Sequence, residues 1–237
     1  MIAIGNSGAG KSTFLNSIAE DFLFESGTSR GYGLTSKVSR ARSKTDNNLY
    51  IDTPGLGDPK HGRNAWIGLE QVFTEEIELR ILFFIRQRNG RITREDIKAM
   101  DAVLELHSEI GSNFGIIVNY SDKDFLKELF EKDEKLDEFL KPIFLELKPT
   151  NHTERILLLP EVQELNRKSN IFVRSSDIHP YLQLFLDQLP TVKTKPGKSE
   201  VKKQSTQLNE FNRLEEARNF GPFHIAKKGL EVLFSDI

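Results

Sequence analysis

Eight residues near the start of the chain, Gly5-Asn6-Ser7-Gly8-Ala9-Gly10-Lys11-Ser12, constrain its fold more than any other stretch. The pattern G-x-x-x-x-G-K-[ST] does its work only at a strand-to-helix joint, where glycines let successive backbone N–H groups turn inward and the helix N-terminus adds positive charge. The flanks supply that joint: "MIAIG" reads as a strand and "STFLNSIAEDFL" as a helix. Residues Gly5 to Thr13 are therefore candidates to cradle a polyphosphate, with Lys11 neutralising β- and γ-oxygens and Ser12 ligating Mg²⁺. "MIAIG" supplies only the last few residues of a first strand, so the strand is expected to begin upstream of Met1.

The rest of the chain alternates in the same way. Apolar runs in "NNLYIDTPG", "LRILFFIR", "FGIIVNY" and "NIFVRSS" are separated by segments long enough for helices. The pattern predicts an α/β fold, a mainly parallel central sheet with helices on both faces and ligands at the carboxyl ends of its strands. "AWIGLEQVFTEEIEL" and "REDIKAMDAVLELHSEI" carry apolar residues at helical spacing. "KDFLKELFEKDEKLDEFLKPIFLELK" places Phe125, Leu126, Leu129, Phe130, Leu136, Phe139, Leu140 and Ile143 on one stripe of an expected long helix. The nucleotide domain is expected to span 1–190. A polar, Lys-rich linker and an amphipathic helix around Leu208, Phe211, Leu214 and Ala217 occupy 191–237.

Several function classes fall away on composition. A net charge of -2 over 237 residues gives no basic face for nucleic acid. Without cysteine there is no thiolate, zinc-thiolate or disulfide chemistry. No apolar run reaches the roughly 20 residues that span a bilayer. His61, His107, His152, His179 and His224 show no metal-ligand spacing. These features suit a cytoplasmic protein.

Four further segments extend the phosphate loop. In "LYIDTPGLGD", Asp52 ends an apolar strand where a carboxylate can hold Mg²⁺, and the Gly55 N–H can sense a γ-phosphate. In "GIIVNYSDKD", Asn119 and Asp122 have N-x-x-D spacing, and the Asp122 carboxylate can accept the paired N1–H and exocyclic amine donors of guanine. Tyr120 stands where a Lys stem commonly lies along the base, and its ring could stack there. Ser175 and Ser176, after the expected final strand, occupy the place of a loop that touches the base edge. Thr35 in "GYGLTSKV" is the candidate for a mobile-loop threonine closing on Mg²⁺ and γ-phosphate, with Ser36 as the alternative. Leu56 occupies the position at which many GTPases carry a water-orienting Gln, so intrinsic hydrolysis is expected to be slow.

"GNSGAGKSTFLNSI", "YIDTPGLGD" and above all "RNGRITREDIKAM" resemble the septin-like GTPases of immunity-associated proteins, the AIG-type G domains, whose own box reads G-R-x-T-x-E-D. That resemblance implies a Ras-like sheet, GTP and GDP binding with Mg²⁺, and nucleotide-dependent dimerisation across the nucleotide face. It also implies membrane association through segments outside this chain. Arg91, in the box, is a candidate finger reaching a partner copy's phosphates in trans; its other reading is an exposed helix start with Arg94 and Glu95. The leading expectation is a slow GTPase whose nucleotide state controls assembly. A nucleotide-holding scaffold that binds a protein through the helix around Phe125–Leu147 or through its C-terminal extension is the alternative, and an ATP-dependent enzyme is disfavoured by Asp122.

Overall fold

The computed structural model describes residues 1–27, 33–131, 133–162, 165, 170–174, 178 and 181–194. Ser175, Ser176 and the amphipathic segment expected around Leu208–Ala217 lie outside these residues. Strand β1 (Ile2–Gly5) runs through the glycine-rich loop into helix α1 (Lys11–Ala19), the joint that the motif requires. Next come β2 (Ser39–Arg42), β3 (Leu49–Asp52), α2 (Gly62–Phe73), β4 (Glu78–Leu79), β5 (Ile81–Arg88) and β6 (Arg91–Ile92). Helix α3 (Arg94–Leu106), β7 (Gly115–Ser121), α4 (Lys123–Phe130), α5 (Asp133–Glu146) and β8 (Ile156–Pro160) continue the chain. Of the described residues, α6 (Leu182–Asp187) and β9 (Val192–Lys193) come last.

The main sheet has seven strands, in the order β2-β3-β1-β5-β7-β8 with β6 hairpinned onto β5. Its central strands are parallel, and β2 runs antiparallel to β3 at one edge. Parallel strands covered on both faces are apolar at successive positions, and β5 shows why. Ile81, Phe83 and Ile85 point to one face, where they share a core with Ile97, Met100 and Val103 of α3. Leu82 and Phe84 point to the other, against Phe14 and Leu15 of α1 and Leu182 and Phe185 of α6. The expected mostly parallel sheet between helical layers is the observed fold.

Three local expectations need correction. The final strand of the sheet is "ILLLP", β8, and the described residues 171–174 of "NIFVRSS" form no strand. The long helical stripe is two helices, α4 and α5, its apolar period running on from one to the other. The packed unit also passes Pro190: β9 pairs with β4, and Val192 is buried in the core.

Candidate nucleotide-binding site

Gly5 closes β1 and the chain turns at Gly8 and Gly10, both at positive φ. At Gly10 φ is +88° and an added Cβ would lie 2.3 Å from Asn119 Nδ2, so only glycine fits. Lys11 opens α1 and is buried, its Nζ donating to Gly5 O at 3.1 Å and Asn6 O at 3.0 Å. Residues Ser7 to Thr13, with Thr35, Gly55 and Tyr120, line a cavity at the carboxyl end of the sheet. Gly5 and Asn6 lie outside that lining.

Ser12, Thr35 and Asp52, 40 residues apart at the extremes, converge at its edge. Ser12 Oγ donates to Asp52 Oδ2 at 2.7 Å, Thr35 Oγ1 donates to the same oxygen at 3.0 Å, and the two hydroxyls are 3.3 Å apart. Asp52 Oδ1 is buried without a hydrogen-bond partner. Burial is the largest influence on both charged groups: it pushes the Asp52 carboxyl up and the Lys11 ammonium down, against their mutual attraction. An anion beside Lys11 and a cation beside Asp52 would relieve both. Two hydroxyls and one carboxylate suit a hard, oxygen-preferring divalent ion that keeps most of its shell from water and phosphate. Accordingly, the described residues hold no cluster of three His, Cys, Asp or Glu able to form an all-protein cage.

The loop after β3 is pressed onto the phosphate loop. Leu56 N donates to Gly5 O at 3.3 Å and Gly57 N donates to Asn6 Oδ1 at 2.8 Å. The Leu56 side chain turns into the core at 4% exposure, so no polar group projects from that position. Asp58, which sequence reading passed over, joins the two loops: its Oδ2 accepts from Gly33 N at 2.8 Å, and its Oδ1 accepts from Lys60 N and His61 N.

On the other side of α1, a second cavity shares Gly10, Thr13, Gly27 and Tyr120 with the first and adds Asn119, Pro160 and Glu161. Pairing between β7 and β8 breaks register between Val118 and Ser121, and Asn119 and Tyr120 sit in that break. Asn119 Nδ2 donates to Ala9 O at 3.0 Å, tying this loop to the phosphate loop. Tyr120, at φ +67°, is held in a left-handed conformation that costs a non-glycine residue on the order of 1–3 kcal/mol. Asp122 is placed differently from expectation. It caps α4, Oδ1 accepting from Asp124 N at 2.9 Å and Phe125 N at 3.2 Å, and it lines neither cavity. Glu161, directly after β8, is among the residues that line the second cavity, and its N–H donates to Ser121 O at 2.9 Å.

Arg91 is exposed on the β5–β6 hairpin and does not line the phosphate cavity of its own chain. The neighbouring Arg94 pairs with Glu146 of α5 at 2.6 Å. Asp96, the last residue of the box, is buried and bonded to Asn6 and Arg86.

Residues 1–145 match the family described as 50S ribosome-binding GTPase, which covers more than half of the chain and all of the phosphate-loop and Asn119 geometry. The chain belongs to that GTPase family. Membership implies that this G domain binds a guanine nucleotide. Among solved structures, the crystal structure of a dimerization-deficient mutant of Toc33 from Arabidopsis thaliana is similar, with a TM-score of 0.48 and 18% identity over 66% of this chain and 68% of that one. No curated protein matches the sequence. No described helix of the G domain is long and apolar enough to cross a membrane.

Proposed function

We propose that this G domain binds GTP and GDP with Mg²⁺, hydrolyses GTP slowly, and uses its nucleotide state to control pairing of two copies across the nucleotide face, in the manner of AIG-type G domains. The observation that carries the reading is the convergence of Ser12, Thr35 and Asp52, with the unpartnered Asp52 Oδ1, beside the Lys11 cavity. Ser12, Thr35 and Asp52 would hold Mg²⁺, which when bound neutralises charge on the β- and γ-phosphate oxygens. Lys11 and the N–H groups from Ser7 to Thr13 would take the phosphates, and the Gly55 N–H would meet the γ-phosphate. Slow turnover follows from Leu56, whose buried side chain leaves the attacking water without a protein acceptor at that position.

Arg91 would act on a partner copy, since it stands on an exposed hairpin. Residues 191–237 are the extension that would contact a protein partner, attached to the domain through β9. The proposed setting is the cytoplasm, with any membrane attachment outside this chain. The buried Leu56 also favours a second reading, a nucleotide-holding scaffold with negligible turnover.

Titration of nucleotide-stripped protein with GDP, ADP and xanthosine diphosphate in Mg²⁺ tests the assignment. Strong preference for GDP is expected; ADP binding equal to GDP refutes it. Asp122→Asn shifts preference towards the xanthine base if Asp122 reads guanine, and Glu161→Gln weakens GDP binding if the carboxylate after β8 does so. Hydrolysis per chain that rises with protein concentration and is lost in Arg91→Ala supports pairing, whereas a flat, unchanged rate removes it. Absence of hydrolysis at every concentration leaves the scaffold.

A further inference from the structure

Asn6 is the second residue of the phosphate loop, yet its side chain turns away from the phosphate cavity and is only 7% exposed. Its amide is fully engaged. Oδ1 accepts from Gly57 N at 2.8 Å, while Nδ2 donates to Asp96 Oδ1 at 2.6 Å and to Glu95 O at 3.3 Å. The opposite amide orientation would set donor against donor at Gly57 and acceptor against acceptor at Asp96, so the side chain has one satisfied pose. Asp96, at the start of α3, is 2% exposed and also accepts from Arg86 N at 2.8 Å, Nε at 3.0 Å and Nη2 at 3.0 Å. The same guanidinium gives its Nη1 to Ser7 O at 3.2 Å. Helix α3, strand β5, the phosphate loop and the loop after β3 thus meet at one amide and one carboxylate.

The contact at Gly57 matters because the loop is packed hard at this point. A Cβ on Gly57 would lie 2.9 Å from Asn6 Oδ1, and one on Gly55 2.3 Å from Ser7 N. Holding Gly57 N constrains the short stretch of chain that includes Gly55, two residues away. We propose that Asn6 and Asp96 are positioning residues that latch the Gly55–Gly57 loop onto the phosphate loop, coupling γ-phosphate recognition to the position of α3 and the box that begins it. This inference rests on the guanine-nucleotide reading above. Loss of the latch lowers affinity for the triphosphate more than for the diphosphate, because only the triphosphate needs the Gly55 N–H in place. Arg94, two residues before Asp96 in the first turn of α3 and paired with Glu146 of α5, gives the latch a route to the exposed surface.

The test uses the whole chain, a non-hydrolysable GTP analogue and GDP, with the single Trp66 as reporter; this residue lies on α2, shortly after the latched loop, and is partly buried against the core. In Asn6→Ala the ratio of GTP-analogue to GDP affinity is expected to fall about tenfold, the scale of one charge-assisted hydrogen bond. The difference in Trp66 fluorescence between the two nucleotide states is expected to shrink with it. Asp96→Asn gives the same direction, and the double variant adds little to either single change, since both cut one connection. Asn6→Ala is the decisive variant if Asp96→Asn, which leaves Arg86 without its counter-ion, fails to fold. Equal loss of affinity for both nucleotides, an unchanged ratio, or additive effects in a folded double variant overturns the latch. A wild-type chain that binds neither nucleotide overturns the nucleotide reading itself.

Discussion

Gly55→Ala places one methyl group where the two nucleotide loops touch. The new Cβ would stand 2.3 Å from Ser7 N, 2.6 Å from Ser7 Cα and 2.7 Å from Ser7 Cβ, whereas ordinary contact begins at 3.4 Å. These atoms belong to the backbone or its first side-chain carbon, so no rotamer relieves the clash and the loops must part by about 1 Å. Overpacking of this kind costs about 1–3 kcal/mol. The cost falls on every state in which the two loops are docked, as they are here, and it weakens binding to the extent that the terminal phosphate requires that docking. A GTP analogue, which needs Gly55 N–H against its terminal phosphate, should therefore bind roughly 5- to 150-fold more weakly, and GDP should change by less than about threefold. Competition titrations with fluorescent nucleotides measure both constants, and thermal melting without ligand checks that the core, which Gly55 does not enter, is intact. If analogue affinity holds within about twofold in a folded variant, the inference that this close approach forms part of the γ-phosphate site is wrong.

Asp52→Asn should raise the melting temperature of nucleotide-free protein at pH 7, because burial penalises the native carboxylate, while abolishing the Mg²⁺ dependence of nucleotide binding; melting curves and Mg²⁺ titrations read the two effects separately. Asp101, whose Oδ1 is buried without a hydrogen-bond partner, has its carboxyl pushed up to about 6, by burial first and by Glu105 second. A folded pKa above the unfolded value means that protonation favours the fold. That contribution is complete below about pH 4 and lost as pH rises through about 6. Asp101→Asn should therefore melt higher than wild type above pH 6 and lose the advantage below about pH 4; an equal offset at both ends counts against it. Arg40 and Glu75 form a bidentate pair on the surface, at 37% and 42% side-chain exposure, so Arg40→Ala should shift stability by less than about 1 kcal/mol in urea unfolding.

The parts of this fold that were legible in the sequence are those whose physics is local. The phosphate loop carries its own glycines, lysine and hydroxyl, and the β5 and β7 runs are apolar over enough residues to announce buried strands. Alternation misled at "NIFVRSS", which reads as a strand, because pairing depends on a neighbour that sequence does not display. "ILLLP" was too short and too uniform to be told from other apolar runs, although being buried on both faces is what makes it uniform. The stripe over α4 and α5 hid a break, since apolar residues keep step through it. At the site, the N-x-x-D spacing pointed Asp122 to base recognition; that its Oδ1 also caps α4 depends on the helix starting at Lys123. The Asn6–Asp96 bond spans 90 residues, and no local pattern could have paired them.

Strand β1 lies between β3 and β5, so a segment synthesised before either of its neighbours occupies the middle of the sheet. During translation it emerges without either neighbour. Its partner residues in β3 and β5 follow as late as Asp52 and Phe84, an interval on the order of ten seconds at ordinary elongation rates. Until then the phosphate loop has no rigid strand to launch it and no Asn119 to hold Ala9, so a nascent chain cannot capture nucleotide progressively. Ligand-assisted maturation of this domain would be a late, all-at-once event, and truncation before β7 should yield chains that nucleotide cannot rescue.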